Sequence, residues 1–211
     1  MTQALVLYPI DDFATTASGY FGDRIATLLE EKGMEVFRFD LWKANRTLFT
    51  LQQMIRPADF IVYTGHGKRD RWFGSLTMGG LIWPLVDLFN AGLLRDKLCY
   101  AIACRTNLQL GREAPARAYF GWKVDVYVAL PAAERNYMED LAELFLQIPL
   151  ALAEGETAEE AARAYLAKSS ELVELYEANL ERWPNADFYS LAVKNNMEGF
   201  ELLGDPHAKI A

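Results

Sequence analysis

Cysteine and histidine are scarce in this chain of 211 residues, with two of each. The cysteines, Cys99 and Cys104, fall on one apolar run, where alternating strand side chains face opposite ways, so a fold stapled by disulfides is not expected. Basic residues are outnumbered, 21 Lys and Arg against 29 Asp and Glu, for a net charge of −8. That balance leaves no cationic excess to make nucleic acid or an anionic membrane the main partner. No stretch approaches the roughly 18 to 20 apolar residues of a membrane span. The opening MTQALVLYPIDD has no basic leader and too short an apolar run for a signal peptide, and the chain is expected in the cytoplasm. Neither G-x-G-x-x-G nor G-x-x-x-x-G-K-S/T occurs and metal-ligand spacing is missing, so no cofactor and no metal are expected. Repeats, low-complexity tracts and linkers are lacking too, and residues 1–211 read as a single domain.

What is present is a globular composition. Hydrophobic residues make up 52% and charged residues 24%, enough apolar surface for a core that a disordered chain could not build. ALVLYPI (4–10) and MEVFRFD (34–40) read as strands joined by a helix over Ser18–Lys32 that stops before Gly33. A second helix over Thr47–Ile55 ends before Pro57, and FIVYTGH (60–66) is the third strand. A short helix is expected after Pro84, and KLCYAIAC (97–104) is the fourth strand. A helix over Ala114–Phe120 then leads to a fifth strand, VDVYVAL (124–130). Continuous apolar strands alternating with helices imply a mostly parallel sheet covered on both faces, a three-layer α-β-α arrangement. Beyond Pro131 the pattern turns helical, first MEDLAELFLQIPLALAEG with Pro149 inside it. An amphipathic helix follows, where Thr157 and Glu160 suit a capping box and the charges form a solvated face. DFYSLAVKNNMEGFELLGDP (187–206) reads as a β-hairpin turning near Asn195 and Asn196.

In a parallel sheet with right-handed crossovers, the loops after the strands gather along one edge, where open α/β folds place their ligands. His66 follows the third strand and Cys104 ends the fourth. If those strands are neighbours, an imidazole and a thiol meet at one rim. Such an imidazole can take the thiol proton and hold the thiolate as an ion pair. Gly67 lets the backbone turn closely beside the histidine, so its N–H and that of Cys104 could face a tetrahedral oxyanion. Taken singly, a histidine at a strand end is commonly a surface residue and a cysteine ending an apolar strand is commonly inert core. Cys99, mid-strand, is assigned to the core, and His207 to a frayed surface near the terminus.

An apolar strand ending in His-Gly, followed by a second ending in Ala-Cys, resembles the cysteine peptidases of the caspase, legumain and gingipain group, clan CD. The matching residues are FIVYTGHG with His66 and Gly67, and CYAIAC with Ala103 and Cys104. FELLGDP (200–206) looks like the ending of gingipain-like and CHAT-type members. The resemblance implies a caspase-like sheet, His66 as general base and acid, Cys104 as nucleophile, and an oxyanion hole of the Gly67 and Cys104 amides. It implies hydrolysis of peptide bonds in a peptide or protein substrate through a thioester acyl-enzyme. Caspases carry glutamine and legumain an acid where this chain has Ile102, which removes one source of polar specificity.

Two charge sets are candidates for binding the substrate side chain. Asp11 and Asp12 could receive Lys or Arg, while Lys68, Arg69, Arg71 and Arg105 would favour an acid; both sets also fit solvated loops. A glutamine amidotransferase or α/β-hydrolase would place its nucleophile in a G-x-C-x-G or G-x-S-x-G elbow, usually ahead of the histidine, whereas Cys104 sits in AIACRTN and follows it. A tyrosine-phosphatase loop would need arginine at position 110, which is Leu110. Besides a peptidase, two readings stay open: a catalytically inactive caspase-like module that binds a protein, and a flavodoxin-like binder of a small molecule.

Overall fold

The computed structural model describes residues 2–76, 82–128 and 137–210. In chain order these contain β1 (Gln3–Tyr8), α1 (Phe13–Glu31), β2 (Glu35–Asp40), α2 (Arg46–Ile55) and β3 (Phe60–Thr64). Next come β4 (Gly67–Lys68), β5 (Arg71–Leu76) and β6 (Ile82–Asp87), then β7 (Leu98–Ile102), α3 (Leu110–Glu113) and β8 (Ala118–Trp122). The chain closes with α4 (Tyr137–Ala153), α5 (Ala158–Glu177), α6 (Ala186–Gly199) and β9 (Phe200–Gly204).

The main sheet has six strands in the order β2-β1-β3-β7-β8-β9, with β9 antiparallel to β8 and the other pairings parallel. Its central strands β3 and β7 are buried at every residue, as their unbroken apolar sequences require of strands covered on both faces. One face packs Val6, Val62, Tyr100 and Phe120 against Phe21 of α1, Phe145 of α4, Tyr165 of α5 and Tyr189 of α6. The other packs Leu7, Ile61, Tyr63 and Cys99 against Phe49 of α2 and Trp72 of β5. A separate antiparallel sheet β4-β5-β6 lies between β3 and β7 in sequence, so the His-Gly turn runs straight into it.

Five expectations are corrected. Helix α1 starts at Phe13 rather than Ser18, because Asp12 accepts from the Thr15 amide at 2.8 Å while the Thr15 hydroxyl accepts from the Asp12 amide at 2.8 Å, a capping box written with Asp and Thr. Pro84 itself lies in strand β6, and the short helix expected after it begins only at Ala91, as a 3-10 turn over Ala91–Leu94; proline is tolerated in the strand because the β5–β6 register shifts beside the Phe73–Pro84 pair. Residues 118–120, the end of the helix expected over Ala114–Phe120, open strand β8 (Ala118–Trp122), since a short run such as AYFGW has no period to separate the two states. The expected strand 124–130 is irregular over 124–128, and its residues 129 and 130 lie outside the described residues. Finally, the C-terminal hairpin is replaced by helix α6 and strand β9. Asn196, read as turn, is fully buried inside α6, where its side chain bonds the backbone of Tyr127 instead of its own.

Candidate active site

Strands β3 and β7 run side by side, their last registered pair being Thr64 opposite Ile102. His66 and Cys104 each stand two residues beyond that pair, on adjoining loops at one end of the sheet. The Gly65 amide still reaches Ile102 O at 3.2 Å, so the two chains leave the sheet together. Glycine at 67 is a steric requirement. A β-carbon there would sit 2.8 Å from the Cys104 carbonyl oxygen and 2.9 Å from Ala103 Cβ, so only glycine lets the histidine loop lie against the cysteine loop.

The histidine ring is held from a third element. His66 Nε2 lies 2.6 Å from Asp12 Oδ2, while Asp12 Oδ1 accepts the Thr15 amide at the start of α1. Burial pushes the Asp12 carboxyl upward, but the Thr15 amide, the His66 ring and the Thr15 hydroxyl outweigh it and bring its pKa down to about 2. An ionised carboxylate only accepts, so the proton belongs on Nε2 and the lone pair of a neutral His66 is left on Nδ1. This Asp-His contact joins residues 54 apart in sequence and gave no motif by which to find it.

Cys104 Sγ accepts the Val126 amide at 3.4 Å. Burial raises the thiol's pKa and the Asp125 carboxylate adds to the rise, with the Val126 amide and Arg105 acting against both. The residues around Val126 are pinned in place. The Arg105 amide donates to Val124 O at 2.9 Å, and the Arg105 guanidinium pairs with Asp125 at 2.6 Å. Asn195 Nδ2 donates to Asp125 O at 2.8 Å, and Asn196 brackets Tyr127 by accepting its amide and donating to its carbonyl, each at 2.9 Å. Arg105 itself is left-handed at φ 59°, a conformation that costs a side-chain-bearing residue energy and is held here by these contacts. Beside this strap opens a cleft of about 440 Å³ whose lining includes Arg105, Lys123, Asp125, Tyr127 and Asn195. The strap carries no local sequence signal, because VDVYVAL has the composition of a strand and the asparagines that hold it come from α6.

The remaining candidates fall differently. Asp11 follows β1 at the same rim, and its amide donates to the Thr15 hydroxyl at 2.8 Å. Lys68 extends over the Phe73 ring, 5.7 Å from its centroid. Arg71 pairs with Asp70, Arg69 gives its carbonyl to the Leu110 amide, and His207 is exposed near the C-terminal end. Cys99 is fully buried, and burial pushes its thiol far up.

Removing the Asp125 charge should make Cys104 more reactive. Asp125→Asn deletes a carboxylate that disfavours the thiolate and releases Arg105, which favours it. Iodoacetamide alkylation at pH 7.5 should therefore speed up several-fold, about tenfold for each full pKa unit gained while the thiol is mostly protonated. The pH profile of the alkylation rate would show its midpoint moving down; an unmoved midpoint would mean that Asp125 does not act on the sulfur.

Fold and rim together define a caspase-like α/β protein with a cysteine and an aspartate-bound histidine on adjoining loops. Solved structures with this architecture include the Arg-specific cysteine proteinase gingipain R, to which the chain is 14% identical with a TM-score of 0.65, covering 99% of this chain and 47% of that one. The complex of the pro- and mature domains of RgpB from Porphyromonas gingivalis matches at 13% identity and a TM-score of 0.61, covering 99% and 48%. The chain thus spans about half the length of these structures and shares their gingipain-like, caspase-like α/β fold. No family model and no curated protein matches it. Among the described residues no helix is long and apolar enough to cross a membrane, and no group of three or more His, Cys, Asp or Glu could hold a metal ion.

Proposed function

We propose that the chain is a cysteine endopeptidase that cleaves a peptide or protein substrate with Cys104 as nucleophile and His66 as base and acid. The observation that carries this reading is the shared β3–β7 register, which puts His66 and Cys104 at matching positions on adjoining loops while Asp12 holds the imidazole. His66 Nδ1 takes the thiol proton, and the sulfur attacks the scissile carbonyl carbon. The electron pair moves onto oxygen, facing the Gly67 and Cys104 amides, and its return expels the amine with the proton from His66. Water, deprotonated in turn by His66, then hydrolyses the thioester. Asp11, Lys68 and Arg105 are assigned to the substrate's path, and the cleft beside Arg105 and Asp125 to its side chain. Two free cysteines suit a reducing compartment, so the cytoplasm is the proposed location. The deciding experiment is a positional peptide library offered to wild type and Cys104→Ala.

The positioning role of Asp12 has its own test. Asp12→Asn keeps a good helix cap but removes the charge that holds the imidazole. It should lower kcat by about 10- to 100-fold, less than a buried triad aspartate because this one is half exposed. The sign with pH is fixed as well. The folded carboxyl is depressed to about 2, so its stabilisation is present at neutral pH and lost as pH falls towards that value. Wild type should melt above Asp12→Asn at pH 7, with the gap closing near pH 2; full activity in the variant would remove Asp12 from the mechanism.

A second reading, an inactive caspase-like module that binds a protein through the exposed side of α5, is favoured by burial and the Asp125 carboxylate both disfavouring the Cys104 thiolate. It requires that no library peptide be cut and that wild type and Cys104→Ala capture the same partner.

A further inference from the structure

Tyr63 is completely buried three residues before His66, with its ring stacked on Trp72 at 4.9 Å and 2°. Phenylalanine would fill the same space. The hydroxyl, costly to bury unless bonded, lies 2.6 Å from the His66 carbonyl oxygen and 2.8 Å from that of Phe73, so its single proton is shared between two acceptors, the nearer being His66 O. The His66 carbonyl also accepts the Phe73 amide at 3.1 Å, so two donors hold it from the side of β5. All described peptide bonds are trans. In a trans peptide the C=O of one residue and the N–H of the next point in opposite directions. Fixing His66 C=O therefore fixes Gly67 N–H away from β5. The ladder agrees: bonded and non-bonded pairs alternate, and with His66 bonded to Phe73, the next pair, Gly67 opposite Trp72, leaves its amide outside the ladder.

We infer that Tyr63 is a positioning residue whose buried O–H locks the His66–Gly67 peptide so that the Gly67 amide is preset as an oxyanion donor. The inference rests on the hydrolytic reading above and goes beyond it, since the hydroxyl touches neither substrate nor the reacting atoms. Oxyanion donors act only when they are fixed before the charge appears, so a loosened Gly67 should slow acyl transfer and leave sulfur alkylation alone.

The test compares two reactions of the same sulfur in wild type and Tyr63→Phe. Acylation by p-nitrophenyl acetate forms a C–S bond through an oxyanion and expels nitrophenolate; alkylation by iodoacetamide forms a C–S bond and expels iodide with no oxyanion. In Tyr63→Phe the acylation burst should slow about 10-fold or more, with alkylation within about twofold and the pH midpoints of both unmoved. Trp72→Phe, which keeps the hydroxyl and disturbs the packing beside it, should melt lower while keeping the wild-type ratio of the two rates. Acylation unchanged in Tyr63→Phe, or both rates falling together, would overturn the inference and leave the peptidase reading standing. A wild type that is alkylated at Cys104 but never acylated would overturn the hydrolytic reading itself, and the role of Tyr63 with it.

Discussion

Peptide cleavage should fall by roughly 10³-fold or more in Cys104→Ala and in His66→Ala alike, because nucleophile and base act as one unit and losing either forfeits nearly all that both supply. The two variants differ in what remains. Cys104→Ala has no sulfur at the rim, so iodoacetamide should find nothing there, and Cys99 should stay unlabelled in the folded protein because it is fully buried. His66→Ala keeps the sulfur but removes the group that accepts its proton. Burial and Asp125 already raise this thiol, so without the imidazole its alkylation at pH 7.5 should slow about tenfold and recover only as pH climbs above the ordinary thiol range near 8.5. Mass spectrometry of the labelled cysteine, followed across pH in wild type and His66→Ala, measures this directly. Equal labelling of Cys99 and Cys104, or an alkylation rate indifferent to His66, would show that the thiol is not activated.

Strands β1, β3 and β7 were legible in the sequence because unbroken apolar runs leave little else for the chain to do once both sheet faces are covered. Their order was not legible, and the adjacency of β3 and β7 entered only as a condition, because apolar runs carry no record of which strand lies beside which; the β3–β7 register supplies it. The capping box of α5 was readable from Thr157 and Glu160 alone, and the Thr157 amide does donate to Glu160 at 2.8 Å. Residues 118–120, those just after Pro84 and the Asn195–Asn196 pair misled because each carries a local signal that tertiary contacts override. AYFGW becomes a strand because β7 on one side and β9 on the other offer it hydrogen bonds. Asn196 stays helical because Tyr127 supplies the partners a turn would otherwise give it. The link from Asp12 to His66 was hidden for another reason: both aspartates after β1 were visible as charges at the rim, but only the helix beginning at Phe13 selects Asp12 and aims it.

Truncating Trp122 to alanine should be the most damaging change in the core, and its effect should reach the cysteine. Trp122 is fully buried, with ring contacts to Phe145 at 6.0 Å, Tyr165 at 5.8 Å, Phe200 at 5.4 Å and Tyr100 at 6.1 Å. Its Nε1–H donates to Asn196 O at 2.7 Å. A large aromatic cut to alanine costs about 3–5 kcal/mol, a large share of the roughly 5–15 kcal/mol that holds a domain folded. At about 2–4 °C per kcal/mol for a chain of this size, the melting temperature should drop by about 6–20 °C. Asn196 carries the consequence outward, because the residue whose carbonyl receives the indole also brackets Tyr127 with its side chain, one residue from the Val126 amide that covers the Cys104 sulfur. With the indole gone, α6 should loosen against β8 and the strap should open more often, so Cys104 should alkylate faster than in wild type well below the variant's melting temperature. Trp122→Phe, which keeps a ring but gives up the hydrogen bond, should fall between the two on both measures. A variant that melts lower while alkylating at the wild-type rate would sever the core from the strap and confine Trp122 to stability alone.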